Sequence, residues 1–569
     1  MQTGLFDHVW KHSPPRQLAG QLDRERLHRT PWGMVSTLAS FEKRLRVTPL
    51  RTGGSATQKL ARATVGAPSL ESVVFRRAAF GPTPDEVGFF RGLGETPRER
   101  LEAWVDWQLE PEAIDNGELE LRLAEAGYET LDKSLEKLWT DHVLEEEDFD
   151  FRMLPIYETQ SATILRAVYS RRQLKEVLAD FWHNHFNVFG WHFLAGPVFV
   201  HYDREVIRPH VLGNFRDFLE AMTASPSMLF YLDNIFNSSE GPNENFAREV
   251  LELHTMGEES YFGAIPAADV PTDENGLPKG YTDEDVRELA RCLTGWSLDE
   301  ETGEFLYRWY WHDTGPKKVL GLSIPGGRPQ LEDVRRVFDL LAVHPAVARF
   351  VCTKLCRRLV ADDPPESLIE TAETVFLDSA AEPDQLRRVV RAILLSGEFE
   401  SIFGAKVRRP FELVVGAVRA MGADFSLPIE NVFSGWFFWL LYTTGNLPHT
   451  WAPPTGFPDR KEIWLTTNAL VTSWRMVNLL AGLELDGWRP CDPVRSTPAE
   501  PRSATALADY WIDRVLLGPV GENSRQEIVD FMAQDAAPER DLDLENWRIQ
   551  ERLRSMVALV LMSPDFNAR

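Results

Sequence analysis

Apolar residues recur at three- and four-residue spacing through Arg98–Leu109, Glu118–Ala126, Ser161–Phe181 and Arg216–Thr223, the period of a helix with one buried stripe. Strand-like alternation is scarce, and proline or glycine punctuates nearly every segment end. The pattern predicts a mainly α protein, a large multi-helix globular core with long irregular loops. Residues 1–65 are rich in Arg, Gly, Pro and Ser and carry no sustained apolar period. They read as an N-terminal arm that Trp10, Trp32 and Phe41 could pin to the body. Residues 66–485 read as the helical core and 486–569 as a C-terminal helical segment packing on it. Gly, Pro and Asp scattered through Glu258–Lys279 predict an exposed loop insertion.

One pattern occurs twice. Leu386–Phe399 (LRRVVRAILLSGEF) and Leu553–Phe566 (LRSMVALVLMSPDF) agree in length and in the ending Ser-x-acid-Phe. Each follows another helical segment, Ser367–Leu377 in one case and Arg525–Met532 in the other. The pattern predicts a helix-pair packing unit used twice, with the Phe closing each helix end onto the core.

Composition changes the picture mainly by exclusion. The 569 residues include 61 Lys and Arg against 86 Asp and Glu, a net charge of −25 that repels phosphate backbones and argues against nucleic-acid binding. Four cysteines, Cys292, Cys352, Cys356 and Cys491, cannot frame so long a chain with disulfides and read as buried thiols. The opening MQTGLFDHVWKHSPPRQ lacks a charged stretch followed by an apolar one, and the most apolar segments, Phe433–Leu441 and Met556–Met562, are far short of about 20 residues. The expectation is a cytoplasmic protein without integral membrane contact. With no Walker loop and no Gly-x-Gly-x-x-Gly after a strand, no nucleotide cofactor is expected.

Two runs carry candidate chemistry. In Phe181-Trp182-His183-Asn184-His185-Phe186-Asn187-Val188, a chain that turns extended after the helix ending at Phe181 would point His183, His185 and Asn187 to one side. Two imidazoles so placed can bind one metal ion. Asn243–His254 (NENFAREVLELH) reads as a helix with Asn245, Arg248, Glu249 and Glu252 within about 100° of arc and Phe246, Val250 and Leu253 as its apolar stripe. Glu249 and Glu252, three apart, can serve one site, although an ion pair from Arg248 to Glu252 would make the same stripe a solvated face. His254 falls on the other side. His312 and Asp313, in a loop after an aromatic cluster, are candidates for substrate binding, and a structural turn is the competing reading. Trp451–Pro458 (WAPPTGFP) reads as a rigid aromatic–proline loop, a preformed surface or cleft wall. The Tyr281–Asp285 stretch reads as a structural helix start, with Thr282 as N-cap.

Taken in order, several landmarks resemble a large bacterial family catalogued only as domain of unknown function 1800. They are Arg76–Thr83 (RRAAFGPT), Phe181–Val188, Tyr202–His210 with Leu212–Arg216, Met228–Asn234, Asn243–Gly257, Tyr281–Trp296, His312–Gly321 and Pro410-Phe411, and they span roughly Ser72 to Leu480. The chain departs from the family in having Val73 where His is common, a longer Glu258–Lys279 loop and no export signal, which members often carry. The resemblance implies no established reaction. It implies, loosely, a sulfatase-like protein partner. The residues themselves lead to the expectation of a metal-assisted enzyme, hydrolase or oxidoreductase. His183, His185, Glu249 and Glu252 would hold zinc, iron or manganese, Arg248 would orient an anionic group, and Asn243 or Asn245 would bond substrate. The rival expectation is a non-enzymatic assembly or partner-binding protein whose polar cluster is a structural network.

Overall fold

The computed structural model describes residues 68–569 apart from 146–147, 328–330, 501 and 535; the N-terminal arm lies outside the described residues. The protein is mainly helical. Strands are confined, among the described residues, to two short antiparallel hairpins, Trp296–Leu298 with Phe305–Tyr307 and Lys317–Val319 with Leu322–Ile324. No helix there is long and apolar enough to cross a membrane, and all four cysteines are buried and free.

Local chemistry starts the helices where the pattern predicts. Pro97–Gln108 begins behind Thr96, whose hydroxyl accepts from the Glu99 N–H while Glu99 accepts from the Thr96 N–H. Asp283–Cys292 begins behind Thr282, as its capping residues predict, and the Asp285 carboxylate also accepts from Leu320 N–H at 2.7 Å, fastening the helix to a hairpin. The periodic stretch Ser161–Phe181 is not one helix but parts of two, Leu154–Tyr169 and Gln173–His185. The break at 170–172 is held from afar. Gln108 donates to Arg171 carbonyl and accepts from Leu174 N–H, Asn116 accepts from Arg171 N–H, and Gln173 accepts from Phe80 N–H.

The repeated pattern is a repeated structure. Gln385–Leu394 and Trp547–Leu561 each run into a short helix capped by a serine: Ser396 accepts from Phe399 N–H at 3.1 Å and Ser563 from Phe566 N–H at 3.2 Å. Both phenylalanines are fully buried. The partner helices are Glu366–Asp378 and Glu522–Ala533. Two consecutive arginines join the copies, since Arg77 donates to the Phe399 and Ile402 carbonyls and Arg76 to those of Asp565 and Ala568. Beside them, Glu412 accepts from Arg569 at 2.6 Å and lies 2.7 Å from Arg358 and 3.2 Å from Arg409, all buried. Residues 486–569 are therefore bonded into the same body as Leu70–Arg77.

Candidate functional site

The helix Gln173–His185 does not turn extended after Phe181, so the expectation that His183 and His185 share a side is corrected. It stays helical, and residues two apart on a helix point about 200° apart. His183 Nε2 lies 2.9 Å from Asp203 Oδ1, whereas His185 Nε2 donates to the His254 carbonyl at 3.0 Å. Asp203 sits in a π-wound turn, Tyr202–Ile207, and also takes Arg208 Nε at 2.8 Å and Arg166 at 3.1 Å; Arg208 reaches on to Glu176 at 2.9 Å. Burial works to raise the Asp203 carboxyl, but Arg208, His183 and Arg166 hold it well below the carboxylate range. His449, in the left-handed region at φ 63°, brings its ring centroid within 4.5 Å of that of His183 and is held neutral by burial. His183, Glu176, Arg208 and His449 border a cavity of about 20 Å³, space for roughly one water.

The two amides of the run hold the aromatic–proline loop. Asn187 donates to the Trp451 and Pro453 carbonyls at 3.0 and 2.8 Å, and Asn184 accepts from Phe457 N–H. Gly456 lies so close to Asn184 that a Cβ would sit 2.1 Å from its carbonyl oxygen, and its φ of +69° also favours glycine.

The second run forms helix Glu244–Glu249 continued by a π-wound turn, Val250–Thr255. The wider winding shifts its buried stripe. Phe246, Ala247, Val250, Leu251 and His254 are buried while Leu253 is only half-buried, so the expected apolar role of Leu253 belongs to Leu251. Asn243 is the N-cap; it accepts from Asn245 N–H and donates to the Asp233 carbonyl at 2.8 Å. Arg248 does not pair with Glu252. It lies 3.1 Å from Asp283 and 5.8 Å from the Tyr261 ring centroid.

That leaves Glu249 and Glu252 half-buried, with no hydrogen bond or ion pair among the described residues. Burial, with Glu252 adding repulsion, raises the Glu249 carboxyl to about 7. Each glutamate acts electrostatically on a tyrosine, Glu249 on Tyr231 and Glu252 on Tyr281. The Tyr231 hydroxyl donates to the Ala452 carbonyl, joining this face to the aromatic–proline loop. The Tyr281 hydroxyl is fully buried and has no partner.

The structure brings Glu249 and Glu252 together, sets His183 on Asp203 and joins His185 to the Asn243–His254 run through the His254 carbonyl, and no group of three or more His, Cys, Asp or Glu placed to hold a metal occurs among the described residues. His312 and Asp313 are engaged internally. His312 bonds the Thr294 carbonyl at 2.9 Å and Asp333 at 3.2 Å, and Asp313 takes Arg291 Nε at 2.8 Å and Gly315 N–H. Sequence reasoning took Tyr281 as structural and passed over His449; an isolated His after Leu-Pro, 286 residues from its partner Thr163, gives no local signal.

The family description "Protein of unknown function (DUF1800)" matches residues 73–568. The chain belongs to the DUF1800 family. The match runs beyond the landmarks, through the C-terminal repeat unit, in agreement with the bonds that tie this DUF1800 chain's last helices to its first. No curated protein and no solved structure matches it.

Proposed function

We propose that this DUF1800 protein is a hydrolase that works by paired-carboxylate acid–base chemistry on the Glu249–Glu252 face. The observation that carries the reading is the pair itself, two neighbouring half-buried carboxylates with no ion pair among the described residues, the Arg248 charge offsetting only part of the rise at Glu249, beside an unpartnered buried tyrosine hydroxyl. A pair whose environments separate their proton affinities divides the roles of acid and base. Glu249, with its carboxyl at about 7, carries a proton near neutral pH and gives it to the leaving group. Glu252 takes the proton of the attacking water. Asn245, exposed and weakly bonded, is free to contact substrate, and Arg248 orients it. His183 Nε2 meets Asp203 and His185 Nε2 meets the His254 carbonyl, and the reading rests on the glutamates.

A partner-binding role, including the sulfatase-like partner that the resemblance implies, is the second reading. Trp309, 72% exposed, and the neighbouring Tyr310 favour it. A panel of chromogenic esters, glycosides and phosphoesters assayed between pH 5 and 8 separates the two. The hydrolase reading expects turnover that Glu249→Gln lowers by about 10²–10⁴-fold with the fold retained. Turnover untouched by Glu249→Gln and Glu252→Gln contradicts it.

A further inference from the structure

A groove of about 600 Å³ opens between the Glu258–Lys279 loop and the Pro345–Leu359 helix, bordered by Ser260, Pro278, Lys279, Phe350, Lys354 and Arg357. In a chain of charge −25, two of these cations stand out by making no ion pair. The side chains of Lys354 and Lys279 make no hydrogen bond or ion pair among the described residues, and Arg357 donates only to the Asp362 carbonyl, at 3.0 Å. Four acids border the same groove: Glu373 pairs with Arg349, Asp273 accepts from the Asn275 and Leu277 N–H groups, and Glu258 and Glu259 lie at the start of the loop.

Lys354 is held in place. Its ammonium lies 5.4 Å from the Phe350 ring centroid, and that ring packs on Gly257 so closely that a Cβ there would sit 2.5 Å from it. Gly257, at φ +85°, is the glycine that ends the Asn243–His254 run. Close enough to interact electrostatically with Lys354 are the imidazoles of His185 and His254, both fully enclosed. Three of their four ring nitrogens, His185 Nδ1 and both nitrogens of His254, have no partner. Burial lowers the Lys354 amine below its ordinary value, with Arg357 acting in the same direction and Asp459 against it. An unpaired, desolvated amine at the wall of a groove, with two further cations beside it, is the arrangement of a lysine nucleophile awaiting an anionic carbonyl compound.

We propose that Lys354 condenses with the carbonyl carbon of a small 2-oxo acid bound in this groove, with Lys279 and Arg357 receiving its carboxylate. The neutral amine's lone pair forms the C–N bond as the carbonyl π pair moves to oxygen. A proton shift gives the carbinolamine, and loss of its hydroxyl as water gives the imine. No oxidant or reductant is consumed. Neither Glu249 nor Glu252 lines this groove, so the inference stands or falls independently of the hydrolase reading.

The test uses the full unmodified chain with glyoxylate and sodium cyanoborohydride, whose hydride fixes the imine as a secondary amine. Peptide mass mapping then gives the labelling rate at each lysine. The expected result is labelling of Lys354 about tenfold faster than of exposed Lys318, and slower labelling at Lys354 when uncharged acetaldehyde replaces glyoxylate. In Lys354→Arg the label at Lys318 should persist unchanged, showing that the reagents still act. Labelling of Lys354 no faster than of Lys318 overturns the nucleophile. Equal rates with acetaldehyde and glyoxylate overturn the carboxylate-binding part.

Discussion

Replacing Glu412 by Gln removes the one carboxylate shared by three buried guanidiniums. In the wild type this side chain faces Arg569 at 2.6 Å, Arg358 at 2.7 Å and Arg409 at 3.2 Å, and accepts from the Arg409 N–H at 3.0 Å. Asp180 then remains as the nearest counter-charge, 3.2 Å from Arg358 and bonded to Arg409, with Asp459 acting on Arg409 from farther away, while the Arg569 side chain keeps its donation to the Arg77 carbonyl. Removing one partner of a buried ion pair costs about 3–5 kcal/mol. The amide keeps one acceptor, worth about 1 kcal/mol, so the expected loss is about 2–4 kcal/mol at pH 7. An exposed pair, Arg98 with Glu102 at 2.7 Å, supplies the control, and Glu102→Gln should cost less than about 1 kcal/mol.

The pH dependence of that loss has a definite sign. Burial works to raise the Glu412 carboxyl, but Arg569, Arg358 and Arg409 outweigh it and hold it well below its ordinary 4.5. A carboxyl lowered by folding adds stability above the unfolded value and loses it as pH falls toward the folded one. The wild type should therefore lose its advantage over Glu412→Gln on acidification below 4.5. Denaturant midpoints of the two proteins from pH 7 down to pH 3 measure this. A difference under about 1 kcal/mol at pH 7, or one that widens in acid, refutes the claim that this charge knot ties the first helix to the last.

Three further outcomes are expected. Gly456→Ala places a Cβ 2.1 Å from the Asn184 carbonyl oxygen, so hydrogen exchange across residues 451–458 should accelerate by an order of magnitude or more while core amides keep their protection. Asn187→Ala removes the two bonds to the Trp451 and Pro453 carbonyls and should loosen the same segment at a cost of about 1–2 kcal/mol in thermal stability. Glu249→Gln should make the protein more stable at pH 8 and change little at pH 4, because a carboxyl raised by folding to about 7 loses stability as pH rises from its ordinary 4.5 through 7; thermal melts at the two pH values check the sign.

Helical class and the repeat were legible in the sequence because both rest on local period and capping. Ser396 and Ser563 cap within three residues, and Phe399 and Phe566 follow at the third position. The break at 170–172 was not legible, since the side chains that hold it come from Gln108 and Asn116, more than fifty residues away. The same limit governed the site. Glu249 and Glu252 stood out by their three-residue spacing, but an ion pair from Arg248 was the simplest local alternative. Its actual partner, Asp283, comes from another helix 35 residues on. The His-Asn-His run stood out by composition, yet nothing in its letters shows that the helix continues through His185 or that Asp203 meets His183 from a π-wound turn. Local pattern located the polar runs, and their pairing was set by tertiary contacts.

The proton on Glu249 is the point on which the functional account turns, and carboxyl ¹³C NMR of glutamate-labelled protein observes it directly, with the signal assigned by its absence in Glu249→Gln. The account predicts a midpoint near 7 for that carboxyl, moving down in Glu252→Gln as the neighbouring charge is removed but remaining above the ordinary 4.5 because burial persists. A midpoint at about 4.5 in the wild type, or one that Glu252→Gln leaves in place, would contradict it.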